Sequence, residues 1–372
     1  MKKITILGAG MVGRAIAYDL SSNFDVTSVD FSQENLNKVE KLAKVKTEVA
    51  DLSKKSEIER VISDADLVIG ALPGFMGFDS VRTVINAGKN IVDISFFPED
   101  FELLKSEAEK AGVTAIVDCG VAPGLSNIWI AHNVKNRKVI LFECMVGGLP
   151  EERTLPFQYK APFSPIDVIE EYTRPARFVE NSTEVVREAL SGSEFINFPG
   201  VGTLEAFFSD GLRSLLKTVK VPTMYEKTLR YPGHAGLMRA FASAGFFSTE
   251  KKKINGVEIV PLDFTSQMLI PLWKLEEEDR EFTAMRFRIL VENNDGSQSE
   301  EFYYLFDKYD TKTGISSMSR TTGFTCTAAA RAVLNGTFAS KGIFPPEFLG
   351  FDDKTYKFIL EELMQRGIYI KK

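Results

Sequence analysis

Cysteine is scarce in this chain: Cys119, Cys144 and Cys326 are the only three in 372 residues. They are too few and too scattered for a disulfide framework or a CxxC zinc site. Histidine is scarcer still, with only His132 and His234, and no metal-ligand spacing is present. There is no G-x-S-x-G elbow, so the sequence offers no Ser-His-Asp hydrolase. No apolar run approaches the roughly 20 residues that a membrane span needs. The N-terminal MKKITILGAG resembles a signal peptide only briefly, because its apolar stretch ends in a glycine turn followed by a charged helical pattern. A cytoplasmic location with no membrane partner is expected. Positive charge is not in surplus either: the formal net charge is −6. The short run Lys251-Lys252-Lys253 reads as a solvated loop, so nucleic acid is not an expected partner.

What the first 125 residues do contain is an alternation. KITILGAG, FDVTSVD, VKTEVAD, DLVIGALP, NIVDIS and VTAIVDCG read as strands, and MVGRAIAYDL, SEIERVIS, FDSVRTVINAG and FELLKSEAEKAG as helices between them. Strands apolar on both faces and separated by helices imply a parallel sheet covered on both sides. The expected fold class is α/β, a Rossmann-type doubly wound parallel sheet with its ligand crevice at the carboxyl ends of the strands. In the first turn, Gly8, Gly10 and Gly13 form G-x-G-x-x-G between a strand and a helix. Gly8 permits the tight turn, Gly10 lets a pyrophosphate approach, and Gly13 lets the helix pack close to the strand. Ala9, Met11 and Val12 complete that turn and the helix start, where amides point at phosphates. The second strand ends at Asp30, placed to accept hydrogen bonds from ribose hydroxyls and to repel a 2′-phosphate. Phe31, Ser32 and Gln33 bring no arginine to neutralise one. NAD is the expected cofactor. Asp51 is either an adenine contact or a helix cap. Ala71, Leu72 and Pro73 follow the fourth strand, and Asp93 and Ser95 close the fifth, with Ser95 a further cofactor candidate.

The pattern changes after Asn127. VILFECMVGGLP is a strand, and EFTAMRFRILVE and SEEFYYLFDKY flank Asn293-Asn294-Asp295-Gly296, a hairpin signal. This predicts an α+β substrate domain with a mixed or antiparallel sheet. SMSRTTGFTCTAAARAVLNG reads as a small-residue helix closed by Gly336, and KTYKFILEELMQRG as an amphipathic one. Both are expected to return to the first domain and cover the cofactor. The expected boundaries are 1–125 for dinucleotide binding, 126–315 for substrate binding and dimerisation, and 316–372 for the returning helices.

Chemistry without a protein nucleophile or a metal fits hydride transfer, in which the cofactor takes the difficult step. Arginines are natural carboxylate anchors, and Arg174, Arg177, Arg213, Arg230 and Arg320 stand in loop-like segments. Asp93, Asp210, Lys160, His234 or a bound water could move the proton. His132, on SNIWIAHNV, reads as structural.

LGAGMVGRAIAYDL, GALPGFMGF, VDISFFPED, DCGVAPGLSNI, VGGLP, EYTRPAR, SDGLRS, TLRYPGH and SSMSRTTGFT run in order across nearly the whole chain. Together they resemble the saccharopine dehydrogenase family, most closely its lysine dehydrogenase branch. The resemblance implies a Rossmann domain completed by C-terminal helices, a substrate domain and a homodimer. It implies dinucleotide contacts at Gly8, Gly10, Gly13, Asp30 and Ala71 to Pro73. Gly120, Val121 and Ala122 would lie at the domain crossing near the nicotinamide, with Ser126 or Gly124 starting the crossover helix. Tyr172, Asp210, Arg213 and Arg230 would belong to the substrate side. Saccharopine reductases of the family carry polar residues where this chain has Phe96, Ala122 and Val146, which favours the lysine branch. The implied reaction is NAD-dependent oxidative deamination of L-lysine, a small amino acid, at its ε-amine. Arg213 or Arg230 would hold the α-carboxylate, and Asp93 or Asp210 the α-ammonium or the proton. The alternatives are a saccharopine or related secondary-amine dehydrogenase and, in another class, an NAD-binding regulator without turnover.

Overall fold

A computed structural model describes residues 1–162 and 165–372. The chain begins with β1 (Lys3–Leu7), α1 (Met11–Ser21), β2 (Asp25–Asp30), α2 (Gln33–Leu42), β3 (Lys46–Val49), α3 (Lys55–Val61), β4 (Leu67–Gly70), α4 (Gly74–Asn86), β5 (Asn90–Asp93), α5 (Lys105–Ala111), β6 (Thr114–Ile116) and α6 (Leu125–Asn136). There follow β7 (Lys138–Pro150), α7 (Pro165–Thr173), β8 (Ala176–Glu180), β9 (Thr183–Arg187), β10 (Glu194–Phe198), β11 (Gly202–Phe208), α8 (Leu215–Thr218), β12 (Thr223–Arg230), α9 (His234–Ser243), β13 (Lys252–Ile254), β14 (Val257–Ile259), α10 (Pro261–Trp273), β15 (Glu281–Glu292) and β16 (Gln298–Lys308). The last elements are α11 (Ser317–Leu334), β17 (Gly342–Phe344), α12 (Glu347–Phe351) and α13 (Asp353–Gln365).

Seven strands form one sheet in the order β17-β6-β5-β4-β1-β2-β3, all parallel. The order reverses between β1 and β4, which is the switch point of a doubly wound sheet. Leu7, Val29, Val68 and Ile91 from its strands are buried in one core with Val81, Val84 and Ile85 of α4. The expected α/β class is therefore present.

The second sheet runs β10-β11-β12-β7-β15-β16, with β8 attached to β12 and β9 to β8. β7 and β12 are parallel and the other pairs are antiparallel, so the sheet is mixed. The hairpin of β15 and β16 turns at Asn293 to Ser297, where Asn293 and Ser297 hydrogen-bond and Gly296 takes φ of +81°. One acid inside an apolar strand finds its partner across the sheet: Glu143 on β7 accepts from Arg286 on β15 at 2.9 Å.

Two units divide the chain. The first is Met1–Asn136 with Thr311–Tyr369, and the second is Arg137–Asp310 with Ile370–Lys372. The first unit thus runs past the expected boundary at residue 125, because α6 is bound into it. Asn127 on α6 donates to Glu347 on α12 at 3.0 Å, with both side chains fully buried. The last residues likewise leave the returning segment, since Lys371 pairs with Tyr304 in the second unit.

The returning helices close the first unit on α1. Gly323 of α11 lies against Ala15 and Ile16, so the small-residue face is used for close approach. Asp19 on α1 accepts from Arg331 of α11 at 3.2 Å and from Arg366, just after α13, at 2.6 Å. Glu362 on α13 accepts from Arg366 at 2.9 Å.

Candidate functional site

The first unit positions the glycine turn at its switch point. Gly8 takes φ of +107°, and a Cβ there would sit 2.4 Å from the Ala71 carbonyl oxygen. A Cβ on Gly13 would sit 2.1 Å from the Gly8 carbonyl oxygen. Both glycines are required by the protein's own packing. Gly10 differs: a Cβ there would meet nothing within 4 Å. Room that the fold does not need suits a group from outside, and α1 supplies the attraction. Its N-cap is Gly10, without a side-chain cap, and no acid stands in its first turn. The amides of Met11, Val12 and Gly13 are left for an anion such as a pyrophosphate. Ala71, Leu72 and Pro73 lead into α4, whose N-cap, Pro73, also lacks a side-chain cap.

Asp30 is drawn into the same turn. Ala9 N–H donates to one carboxylate oxygen at 2.7 Å and Ser32 N–H to the other at 2.8 Å. Each oxygen keeps a lone pair for a ribose hydroxyl. These residues fit a dinucleotide. Asp51 does not cap a helix: α3 has Lys54 as its N-cap, and Asp51 instead accepts from the backbone and hydroxyl of Ser53 in the preceding turn.

Asp93 is fully buried beneath Gly70, where a Cβ would sit 1.9 Å from its Oδ2. Ser95 donates its N–H to Oδ1 at 2.9 Å and its hydroxyl to the same oxygen, whereas Oδ2 has no hydrogen-bond partner. Burial pushes this carboxyl up to about 8, against the hydrogen bonds from Ser95 and with help from the charge of Asp118. Ser95, expected at the cofactor, is itself buried and turned to Asp93.

The segment after β6 folds back on the start of α6. Leu125 N–H donates to Gly120 at 2.9 Å and Ser126 N–H to Val121 at 3.1 Å, so these two carbonyls receive helix-start amides. The helix begins just after Gly124, whose N–H is received by Asn127 at 3.2 Å. Gly120 and Val121 are buried and Ala122 is half-buried. Asp118, at φ of +54°, holds a left-handed conformation that strains a non-glycine residue.

The second unit gathers a buried polar chain around Arg230. Its Nε donates to the Tyr172 hydroxyl at 3.2 Å, one terminal nitrogen to the Leu229 carbonyl at 2.9 Å, and the other to Glu171 at 2.6 Å and Tyr159 at 3.4 Å. The guanidinium also lies over the Tyr159 ring, 4.4 Å from its centroid. Tyr172 is 2.9 Å from His234 Nε2, and His234 Nδ1 is 2.8 Å from the Phe157 carbonyl. A carbonyl only accepts, so Nδ1 carries the proton and Nε2 accepts from Tyr172. Burial, then the Arg230 charge, lowers His234 to about 3, and burial raises Tyr172 to about 12. Trp273 of α10 stacks edge-on against Tyr159 and Tyr172.

Two expectations are revised by this geometry. His234 is a neutral, fully buried ring with both nitrogens engaged, which suits holding Tyr172 in place and not taking a substrate proton. Asp210 accepts three bonds from Arg177, at 2.9 and 2.8 Å from the guanidinium and 3.1 Å from the backbone N–H. Its lone pairs are largely taken. Of the other candidates, Arg174 pairs with Glu170 at 3.0 Å, Arg320 donates to the Arg366 carbonyl at 2.8 Å, and Lys160 donates to the Lys274 carbonyl at 3.1 Å. Arg213 stands just past Gly211 in a left-handed conformation, φ +49°. His132 stacks on Tyr356, 3.7 Å between centroids, in the structural role expected of it.

Glu171, Tyr159 and Glu226 were not foreseen. Glu226 is buried on β12, and its carboxylate lies flat on Gly211, where a Cβ would come within 1.6 Å of Oε1. Burial, with Asp210 and Glu171 adding to it and Arg213 opposing, pushes Glu226 up to about 8. The available signal was an acid inside the strand pattern MYEKTLR, in register with Cys144 of an apolar strand. Among the described residues, no group of acids, histidines or cysteines is arranged to hold a metal ion, and no helix is long and apolar enough to cross a membrane.

Both parts of the chain match known proteins. Residues 4–116 match the saccharopine dehydrogenase NADP binding domain and residues 120–368 the saccharopine dehydrogenase C-terminal domain. The mitochondrial alpha-aminoadipic semialdehyde synthase of Rattus norvegicus is 23% identical over 99% of this chain and 47% of its own length. This chain thus spans about half of that relative. The saccharopine dehydrogenase [NADP(+), L-glutamate-forming] of Saccharomyces cerevisiae is 23% identical over 100% of this chain and 98% of its own. A solved apo structure of saccharopine dehydrogenase (L-Glu forming) from S. cerevisiae superposes with a TM-score of 0.82 at 20% identity, covering 100% of this chain and 99% of that one. That likeness extends the fold over the full chain.

Proposed function

This chain belongs to the saccharopine dehydrogenase family of oxidoreductases, and from that premise we propose that it catalyses NAD-dependent oxidative deamination of L-lysine at the ε-amine. The balanced reaction is L-lysine, NAD+ and water giving 2-aminoadipate 6-semialdehyde, NADH, ammonium and a proton. A nicotinamide held by the first unit would accept the hydride from Cε. Gly10 and the first amides of α1 would bind the pyrophosphate, and Asp30 the ribose hydroxyls.

The observation that carries lysine over larger substrates is the state of the arginines. Arg174, Arg177, Arg230 and Arg320 are each engaged by a group of the protein. Arg213 is engaged within the protein as well, and a substrate with a single carboxylate, for which Arg213 is the proposed anchor, asks fewer guanidiniums to leave their partners than one with several. Arg230 then serves to fix Tyr172 and Glu171. Asp93 is the candidate left to assist proton transfer, because its Oδ2 has no partner and burial raises its carboxyl to about 8; protonated at neutral pH, it would pass on its own proton before taking one from the amine. The choice of NAD is supported by the acidic end of β2, although the matched domain and the yeast relative are named for NADP.

Absorbance of the reduced nicotinamide tests the proposal, with NAD or NADP and either L-lysine or saccharopine. NADH and ammonia formed with lysine support it. Turnover with saccharopine alone would favour the second reading, which the end-to-end match to the yeast saccharopine dehydrogenase keeps in play. Nucleotide binding without turnover on a panel of amines would point to a regulator. Unchanged substrate affinity in Arg213→Ala would remove the proposed anchor. A homodimer forms part of this reading, and light scattering at twice the chain mass would bear it out.

A further inference from the structure

α10 is apolar on two sides. Its inner residues Pro261, Thr265, Leu269 and Trp273 are buried, the last two in the aromatic core with Tyr159 and Tyr172. On the outer side Phe264, Met268 and Leu272, four residues apart, are each more than half exposed. Asp263 is the single charged residue of the helix. A helix apolar all round is ordinarily covered all round. The bare stripe continues beyond α10. The hairpin of β13 and β14, which leads into it, is a two-stranded sheet of its own, and such a hairpin is marginal in water. Its paired residues Ile254 and Val257 are also more than half exposed. Thr265 donates to the Phe246 carbonyl at 2.9 Å, which sets the exposed Phe246 beside the helix as well.

The ends of this stripe carry opposite charge. Residues 250–258, around the hairpin, hold three lysines against two glutamates, and residues 274–280 hold four acids against two bases. Lys252 pairs in register with Ile259, next to the N-cap Val260, so the lysines stand at the start of α10. Asp279 accepts from the Glu276 N–H at 2.8 Å, which folds the acids into a turn just past its end. The helix between them, 13 residues long, spans about 20 Å.

We infer that this surface joins two copies of the chain, related by a two-fold axis with their α10 helices antiparallel. Phe264, Met268 and Leu272 of one copy then pack on those of the other, and the hairpins and Phe246 widen the contact. Antiparallel pairing sets the lysines of each copy against the acids of the other at both ends, and it opposes the two helix dipoles. Parallel pairing would place lysine on lysine. A patch that complements itself is what a two-fold dimer requires. The acids at one end disfavour an anionic lipid surface as the occupant, since such surfaces attract basic faces. This interface rests on the homodimer of the proposed reading and is independent of the substrate.

Sedimentation velocity on the whole chain over a dilution series tests this. The wild type should sediment at twice the chain mass. Met268→Glu combined with Leu272→Glu should raise the dimer dissociation constant at least tenfold, with circular dichroism verifying the fold. Two charge variants, Lys252→Glu with Lys253→Glu and Glu276→Lys with Glu278→Lys, should each weaken self-association at least tenfold on their own. An equimolar mixture of the two should dimerise again, because a mixed pair has opposite charges facing at both ends. Dimers that none of these variants weakens would overturn this surface and leave the homodimer standing. Weakening without recovery in the mixture would overturn the antiparallel arrangement. A monomeric wild type would remove the homodimer and the surface together, and if that monomer pelleted with anionic phospholipid vesicles the stripe would be a lipid face instead.

Discussion

Asp93 holds its proton at neutral pH because burial outweighs the hydrogen bonds from Ser95. That has a thermodynamic sign. The folded carboxyl titrates at about 8 against 3.8 for the ordinary group. Between those values the folded chain keeps a proton that the unfolded chain has lost, so stability falls as pH rises through this window and levels off above it. Asp93→Asn removes the titration. Thermal melts should show the variant gaining on the wild type from pH 4 to pH 8, and equal slopes would mean that Asp93 is ionised in the fold. Asp30 acts through its acceptors. On the proposed reading, Asp30→Ala would give up charge-assisted hydrogen bonds to the ribose, each worth about 1.5–3 kcal/mol. NAD affinity should fall between tenfold and a hundredfold, with the preference over NADP reduced. Fluorescence titration with both nucleotides measures this.

Pairs of elements decide the next set of effects. Asp19 on α1 binds Arg331 and Arg366, and all three side chains are at most 14% exposed. Removing the shared anion leaves two nearly buried guanidiniums short of a partner. Asp19→Ala should therefore cost about 3 kcal/mol or more, read by denaturant unfolding. Helices and strands of this kind were legible in the sequence, since apolar periodicity and the glycine turn are local properties. β1, α1 and β2 follow from them directly, as does the hairpin at Gly296. The partners of the polar groups were not legible. Arg230 meets Glu171 across 59 residues and Arg177 meets Asp210 across 33. Nothing in TLRYPGH says that its arginine is spent on tyrosines and a glutamate, or that its histidine has both nitrogens occupied. Such facts come into being only when β12, α7 and α9 pack.

Taken whole, the molecule couples ligand to stability. A dinucleotide that binds only the folded first unit at one hundred times its Kd should add about 2.7 kcal/mol. Differential scanning calorimetry should show NAD raising a transition that Gly13→Ala no longer shifts. The lack of a shift with wild-type protein would count against the nucleotide site.

The first unit is also split in sequence, since Thr311–Tyr369 completes what Met1–Asn136 begins. On the ribosome these two parts emerge far apart in time. The nascent chain shows the α1 surface that α11 covers, and the β6 edge that β17 pairs, while all of 137–310 is still being made. Domains are generally expected to fold in the order of their synthesis. Here the part made first must wait for the part made last, and for that interval it is the natural client of a chaperone.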